Sequence, residues 1–128
     1  NLKNLKKNSK HGIHIHRSGD LRNGCDSLCQ HYNPYNVSHG GPNDNRNHRH
    51  VGDLGNVQTN RYGNVVNFQI KDKLIKLRGK HSILGRSVII HQDEDDLGNG
   101  NNAESLITGN AGKRIGCGVI GYSEKCCE

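Results

Sequence analysis

The chain has 128 residues, which is the size of a single domain. Only 30% of the residues are hydrophobic, with one Phe and no Trp or Met, so the apolar core must be thin and metals, a disulfide or a partner subunit should add stability. The formal net charge of +6 suits a small anion. The basic residues are scattered without a nucleic-acid motif and no apolar run reaches transmembrane length, so we expect neither a nucleic-acid nor a membrane partner.

Seventeen glycines, two prolines and frequent Asn favour a turn-rich β protein over a helical one. We expect one domain over residues 1–128, beginning with a basic, solvated segment at 1–10 and ending with a Cys-containing tail at 122–128. The histidines at 14 and 16 alternate with two isoleucines, a pattern that predicts a strand. A strand places His14 and His16 on one face, side by side, so both are candidate metal ligands.

A long loop is predicted over residues 18–42, because Gly, Asn and Pro recur along it. A loop of this length in a compact domain is usually functional or fixed to the rest of the protein. Metal ligation through His31 and His39 would fix it.

A histidine and an aspartate follow that loop. His50 precedes Asp53 by three residues, so both could bind one ion, and Asp oxygen is an accepted zinc ligand. His48 is a rival for this role, but it lies within residues 43–49, which look like an insertion, and His50 keeps the tight spacing. His91 ends a distant apolar run and adds a further candidate. The six candidate imidazoles and one carboxylate exceed the needs of one mononuclear site, whereas two adjacent metals sharing a ligand would use the whole set.

The second half of the chain is predicted to be mostly strands. Residues 54–92 alternate imperfectly between apolar and polar side chains, and the last of these strands is predicted over 83–91. A second long loop is expected over 92–112, whose acidic run is either a solvated face or a source of a carboxylate that orients metal-bound histidines. A closing strand is predicted over 114–121, and the spacing suits a sandwich or barrel.

The five cysteines are an odd number: Cys25, Cys29, Cys117, Cys126 and Cys127. A disulfide, free thiols and intermolecular bonds are all compatible with this number. Metal ligation by cysteine is the alternative, although the sequence has no C-x-x-C pair.

Eight segments of the sequence, from HGIHIH (11–16) to TGNAGKRIGCGVIG (108–121), together resemble the copper/zinc superoxide dismutases. The resemblance implies an all-β, Greek-key β-sandwich or barrel with two long functional loops, an architecture of which this enzyme family is itself a standard example. So many motifs in the same order make coincidence negligible. The matching segments are HGIHIH (11–16), NGC (23–25), HYNP (31–34), HGGP (39–42), HVGDLGNV (50–57), GRSVIIH (85–91), DDLGNG (95–100) and TGNAGKRIGCGVIG (108–121).

The resemblance implies a two-metal site in which His31 bridges the metals. It also implies that Asp95 links a copper histidine to a zinc histidine, that Arg114 is the channel arginine, and that Cys25 and Cys117 form a disulfide. The implied copper ligands are His14, His16, His31 and His91, and the implied zinc ligands are His31, His39, His50 and Asp53.

The implied activity is disproportionation of superoxide to dioxygen and hydrogen peroxide by alternation of copper between Cu(II) and Cu(I). His31 would deliver a proton and Arg114 would attract the anion. Besides superoxide, the expected partners are a second copy in a homodimer and a copper-delivery protein. We expect a cytoplasmic location, with a secreted form as the alternative. A non-enzymatic copper-binding relative is the second functional hypothesis, disfavoured because every copper histidine and Arg114 are present.

Three features depart from the family pattern. About three strands precede HGIHIH in the family, so we expect either an incomplete chain or a barrel open at that edge. Arg17 and Ser18 stand where a Glu and an apolar residue usually flank the dimer contact, and Ile107 stands where a lysine often guides the substrate, which leaves more of the guidance to Arg114. The usual dimer contact corresponds to Gly19, Leu84, Gly85 and Tyr122.

Overall fold

The structure is a computed structural model that describes residues 1–124. Within this range the chain is strand and loop, which confirms the all-β class, and no helix has the length and apolarity needed to cross a membrane. Cys126 and Cys127 lie outside the described residues. The strands are β1 (Lys10–His16), β2 (Arg22–Cys25), β3 (Asp53–Gln58), β4 (Ser87–His91) and β5 (Arg114–Val119), with short 3-10 helices at Asp26–Leu28 and Glu104–Leu106.

Four strands form one antiparallel sheet in the order β3-β1-β4-β5. In the register of β1 with β4, Ile15 lies opposite Val88, and in that of β4 with β5, Ile89 lies opposite Cys117. Successive strands of this sheet are joined by long segments instead of tight hairpin turns, so the connecting segments are free to cover the sheet and carry functional side chains.

Two irregularities in the sheet lie beside candidate ligands. The register of β1 with β3 shifts between Gly12 and His14, and the register of β4 with β5 shifts between Ile90 and His91. Such shifts redirect side chains and often occur next to functional sites. Here they adjust how His14 and His91 project from neighbouring strands.

The alternation predicted for β1 is confirmed. Ile13 and Ile15 lie in the hydrophobic core, while His14 and His16 are buried on the other side of the strand. Both faces of β1 are therefore covered, one by apolar side chains and the other by the loops that carry polar ones. The core cluster consists of Ile13, Ile15, Tyr32, Val51, Leu54, Val57, Val65, Ile83 and Ile90.

The strands predicted between β3 and β4 are wrong. Residues 59–82 contain only the isolated bridges Leu2–Val65 and Lys76–Ser82. A strand needs a neighbour for its hydrogen bonds and a layer that buries its apolar side chains. In this segment Val65 is buried, but Val66 remains 63% exposed and Phe68 39% exposed, and among the described residues the segment pairs with neighbours only through the two isolated bridges.

Three further sequence expectations need correction. The basic N-terminal segment is not a solvated tail, because Leu2 and Leu5 pack against the core. The first long loop is interrupted by β2 and a 3-10 helix. The strand predicted from residue 83 begins only at Ser87, because Gly85 has a positive φ of 78° that breaks the extended backbone.

Candidate metal centre

The four predicted copper ligands lie together. His14 and His16 come from β1, His91 ends β4, and His31 comes from the first long loop. Each offers a ring nitrogen, and these atoms lie within 4.8 Å of one another. The loop is held to the end of β1 because the Tyr32 N–H donates to the Ile15 carbonyl at 2.8 Å.

The predicted zinc ligands converge on one carboxylate oxygen. Asp53 Oδ1 lies 3.0 Å from His31 Nδ1, 3.0 Å from His39 Nδ1 and 3.1 Å from His50 Nδ1. Asp53 Oδ2 accepts hydrogen bonds from the backbone N–H groups of Gly40 (3.0 Å) and His50 (2.8 Å). These bonds fix the carboxylate, so that Oδ1 and three imidazoles surround a space suited to a cation.

The second compact group of potential ligand atoms contains His14, His31, His39 and Asp53. In this group His14 takes the place that the resemblance assigns to His50. His14 Nε2, however, is already hydrogen-bonded to Asp95 Oδ2 at 2.7 Å, whereas His50 Nδ1 contacts Asp53 Oδ1. His14 already belongs to the first group through its unpartnered Nδ1, so His50, whose Nδ1 contacts Asp53 Oδ1, borders the second group as a further candidate ligand.

The rival candidate His48 lies outside both groups. Its side chain is exposed, and its Nδ1 lies 3.1 Å from Asn45 Oδ1. Arg49 beside it is buried and forms an ion pair with Asp72 at 2.7 Å, while its Nε–H donates to the His50 carbonyl at 3.0 Å. This buried arginine was missed by the sequence analysis, because no local pattern connects it to an aspartate 23 residues away.

Asp95 connects the two ligand sets. His14 Nε2 donates to its Oδ2 at 2.7 Å, and His39 Nε2 donates to its Oδ1 at 2.8 Å. The Asn56 side chain fixes the backbone of Asp95 from both sides, with hydrogen bonds of 2.8 and 2.9 Å. Asp95 thus occupies the linking position that the resemblance implied, while Asn56 carried no signal that singled it out in the sequence.

The ring nitrogens left without partners are those that metals would bind. Among the described residues, four buried side-chain nitrogens lack a hydrogen bond: His14 Nδ1, His16 Nε2, His39 Nδ1 and His91 Nε2. His39 Nδ1 is close to Asp53 but is not aligned for a hydrogen bond. An unpaired buried polar atom costs about 1–3 kcal/mol, and imidazole nitrogen is a preferred ligand of copper and zinc. The donor set therefore fits both metals.

The opposite nitrogen of each of these rings is engaged, which fixes the tautomer. His16 Nδ1–H donates to the Cys29 carbonyl at 2.7 Å, and His91 Nδ1–H donates to the Gly112 carbonyl at 3.0 Å. His14 and His39 use Nε2–H toward Asp95 in the same way. The neutral rings of His14, His16 and His91 therefore present a lone pair on the unpartnered nitrogen.

Burial keeps the copper-set histidines neutral. It lowers the pKa of His14 to about 3, that of His16 to about 2 and that of His91 to about 4, and it also lowers the pKa of His31. Neighbouring imidazoles lower the pKa of His14 and His16 further. All four rings are then uncharged near neutral pH and can coordinate a metal without first losing a proton.

The residues of the predicted zinc site, unlike the copper-set histidines, include groups that are charged near neutral pH. Burial raises the pKa of Asp53, but the close contacts of its Oδ1 with three imidazoles outweigh it and bring the pKa far below its usual range. Burial likewise opposes the shift at His39, where the nearby carboxylates of Asp53 and Asp95 raise the pKa to about 9. The pKa of Asp95 falls to about 2, because hydrogen bonds from His14 and His39 overcome its burial. Two fixed carboxylates therefore make this side anionic and attractive to a divalent cation.

Arg114 lines a cavity of about 290 Å³ beside the copper set, together with His16 and His91. Its Nη1–H donates to the Cys25 carbonyl at 2.8 Å, and its Nη2–H donates to the Cys29 carbonyl at 2.6 Å. These bonds hold the guanidinium while leaving its charge at the cavity.

The predicted disulfide is confirmed. Cys25 and Cys117 are bonded with their Cα atoms 5.8 Å apart, joining β2 to β5 across 92 residues. The bond anchors the segment whose carbonyls hold Arg114. Cys29 in the same segment has φ 62° and ψ −156°, an arrangement that the sequence did not suggest, and its carbonyl accepts from both His16 and Arg114.

Comparison with known proteins agrees with this site. The family model for copper/zinc superoxide dismutase (SODC) matches residues 1–120. Superoxide dismutase (Cu-Zn) of Paramecium bursaria Chlorella virus 1 is 54% identical over 124 residues, which cover 97% of this chain and 65% of the relative. Superoxide dismutase (Cu-Zn) of Cryptococcus neoformans var. grubii is 52% identical over 122 residues, covering 95% and 77%. Extracellular superoxide dismutase (Cu-Zn) of Drosophila melanogaster is 55% identical over 115 residues, covering 90% and 62%.

The chain therefore spans less than two thirds of the viral and insect relatives and about three quarters of the fungal one. The matched family together with the two ligand sets identifies copper and zinc as the metals. The chain belongs to the copper/zinc superoxide dismutase family.

Proposed function

We propose that this chain, loaded with copper and zinc, converts two superoxide anions and two protons to dioxygen and hydrogen peroxide. The observation that carries the proposal is a pair of buried ligand groups that have His14 and His31 in common, beside a cavity that contains Arg114. Such a site combines redox chemistry, a proton donor and a positive charge for an anionic substrate. A large substrate pocket is not needed.

The unpartnered nitrogens and the position of Asp53 support the ligand assignment. Three of the four unpartnered nitrogens belong to the proposed copper set, and Asp53 Oδ1 faces three imidazoles of the proposed zinc set. Bound copper would supply one-electron redox chemistry, and zinc would supply a fixed positive charge without redox chemistry. We assign copper to His14, His16, His31 and His91, and zinc to His31, His39, His50 and Asp53.

His31 is proposed to move the proton. Its Nδ1 is 3.0 Å from Asp53 Oδ1, which orients the ring. Its Nε2 is on the opposite side of the ring, and the ring centroid lies 3.9 Å from that of His14 and 4.9 Å from that of His16. A proton held on Nε2 would be well placed for delivery to reduced oxygen in the cavity, which is a general-acid role.

Arg114 is proposed to attract and orient superoxide. Its guanidinium is held by two backbone carbonyls, so the charge stays at the cavity beside His16 and His91. Positive clefts raise association rates of anions, and superoxide dismutases are a standard example of this steering.

We further propose a homodimer that uses the surface around Gly19, Gly85 and Tyr122. Tyr122 is 93% exposed, and a Cβ on Gly19 would lie 2.2 Å from the Gly85 carbonyl oxygen, so the backbones meet closely there. An exposed aromatic beside close-packed backbone suits a contact between copies.

Two further proposals concern the setting of the protein. Burial of the copper set, whose members are at most 5% exposed, supports a copper-delivery protein as a partner. A cytoplasmic location is supported by the likeness of the motifs to intracellular eukaryotic members, while one matched relative is extracellular by name.

The test is superoxide decay, followed spectroscopically with copper- and zinc-loaded protein against a matched free-copper control. Decay by the protein should greatly exceed that control, and His31→Ala should lower the rate by about 100-fold or more because proton delivery and the shared ligand are both lost. His48→Ala is the matched control, since it removes an exposed imidazole outside both ligand sets. Decay no faster than free copper would leave the non-enzymatic copper-binding hypothesis, and full turnover by two-metal His31→Ala protein would refute the bridging role.

A further inference from the structure

Two cavities in the described chain meet at His31. The one beside the copper set contains Arg114 and measures about 290 Å³. The second measures about 360 Å³ and plays no part in the function proposed above. Gln30 and His31 line both cavities, so an anion entering the second one also reaches the shared histidine. The other residues that line the second cavity are Arg17, Asn33, Asn36, Val37, His50, Leu106 and Ile107.

The two cavities differ in charge. In the first, Arg114 is opposed by the carboxylate of Glu104. In the second, Arg17 is the only lining side chain with a permanent charge. Leu106 and Ile107 form an apolar part of its wall and carry no charge. No carboxylate among the described residues lines the second cavity, and the nearest fixed one, Asp53, lies behind the rings of His31 and His50, so an anion that enters first meets the charge of Arg17.

The guanidinium of Arg17 is not neutralised by a partner. Its backbone is fixed, because its N–H donates to the Gln30 carbonyl at 2.9 Å and its carbonyl accepts from Arg86 Nη1–H at 2.8 Å. Within residues 1–124 no ion pair or hydrogen bond engages its exposed side chain, whereas Arg22, for example, pairs with Asp20 at 2.7 Å. The charge of Arg17 is thus free to act on a mobile anion.

We propose that Arg17 is a second guidance residue, which draws superoxide into the second cavity and toward His31 independently of Arg114. The inference rests on the proposed function and extends it to a second approach route. The side-chain amide of Gln30 makes no hydrogen bond within the described part of the chain, so its N–H groups can donate to an anion passing between the cavities.

The first test compares the second-order rate constant of superoxide decay across ionic strengths. A unit charge about 10 Å from the path of an anion, in a water-like dielectric, changes the local anion concentration about 2-fold. Arg17→Gln should therefore lower the rate about 2-fold at low salt and flatten its salt dependence, Arg17→Glu should lower it about 4-fold, and Arg17→Lys should restore it. Copper and zinc contents should match those of the unaltered protein, because the bonds that fix residue 17 come from its backbone.

Arg78→Gln is the matched control. Arg78 is also exposed, and it has no ion pair or hydrogen bond within residues 1–124, but it does not line either cavity. Arg78→Gln therefore removes the same unit of charge as Arg17→Gln, but at a position outside both cavities. Equal effects of Arg17→Gln and Arg78→Gln would reduce the role of Arg17 to overall charge and refute the inference.

A second test does not depend on turnover. Inorganic phosphate is titrated into reduced, metal-loaded protein, in which cuprous copper is diamagnetic, while NMR follows the Arg17 Nε–H and the Gln30 side-chain amide. Saturable shifts at both groups, with none at Arg78, would support the anion route, and their absence would refute it. If the unaltered protein failed to consume superoxide yet showed these shifts, the proposed function would be refuted, whereas the anion site would be supported. If the unaltered protein consumed superoxide, but Arg17→Gln left the rate constant unchanged and phosphate caused no shifts, this inference alone would be refuted.

Discussion

Replacing Cys29 with glycine should make the protein more stable. Cys29 has φ 62° and ψ −156°, a backbone region that is essentially restricted to glycine. Holding another residue there costs about 1–3 kcal/mol. Glycine releases this strain but gives the unfolded chain more freedom, which costs about 0.4–1 kcal/mol. The expected net gain is about 0.5–2 kcal/mol, or roughly 2–8 °C in melting temperature for a chain of this size.

Thermal unfolding followed by circular dichroism, at matched metal content, measures this gain. Cys29→Ala is the control, because alanine removes the thiol but keeps the strained backbone. The Sγ atom makes only a 3.9 Å contact with the Ser27 carbonyl, so its loss alone should have little effect. If the glycine variant were no more stable than the alanine variant, the strain assigned to this position would be wrong. Activity should persist in both, since the carbonyl that accepts from His16 and Arg114 is retained.

Two predictions remain. Arg114→Gln should slow superoxide decay about 10-fold and weaken its salt dependence, because a charge held beside the copper set is lost; an unchanged salt slope would contradict the steering role. Replacing Cys25 and Cys117 with serine should lower stability by about 3–5 kcal/mol, because the disulfide closes a 92-residue separation in the unfolded chain. Chemical denaturation measures this loss, and an unchanged midpoint would mean that the bond contributes nothing to stability.

The features that the sequence predicted correctly are those set by local periodicity or by extended motifs. The alternation around His14 and His16 requires only a strand, and the structure shows that strand. The disulfide followed from resemblance, since no spacing rule pairs Cys25 with Cys117. Residues 59–82 were mispredicted because apolar alternation does not reveal whether a neighbouring strand exists. The hydrogen bonds to the Cys29 carbonyl could not be predicted either, because every residue has a main-chain oxygen and the residue type does not indicate which one is used.

Asp53 and Asp95 show what the thin hydrophobic core means for this protein. In the described chain, buried polar and charged side chains are about as numerous as buried apolar ones, and the histidines and carboxylates of the site account for many of them. The interior therefore has two parts, an apolar core that excludes water and a polar cluster whose side chains are suited to binding metal ions. Ligands that bind only the folded state stabilise it by an amount that rises with the logarithm of their free concentration. Copper and zinc supply in the surrounding medium thus acts on this chain as a folding condition as well as a condition for activity.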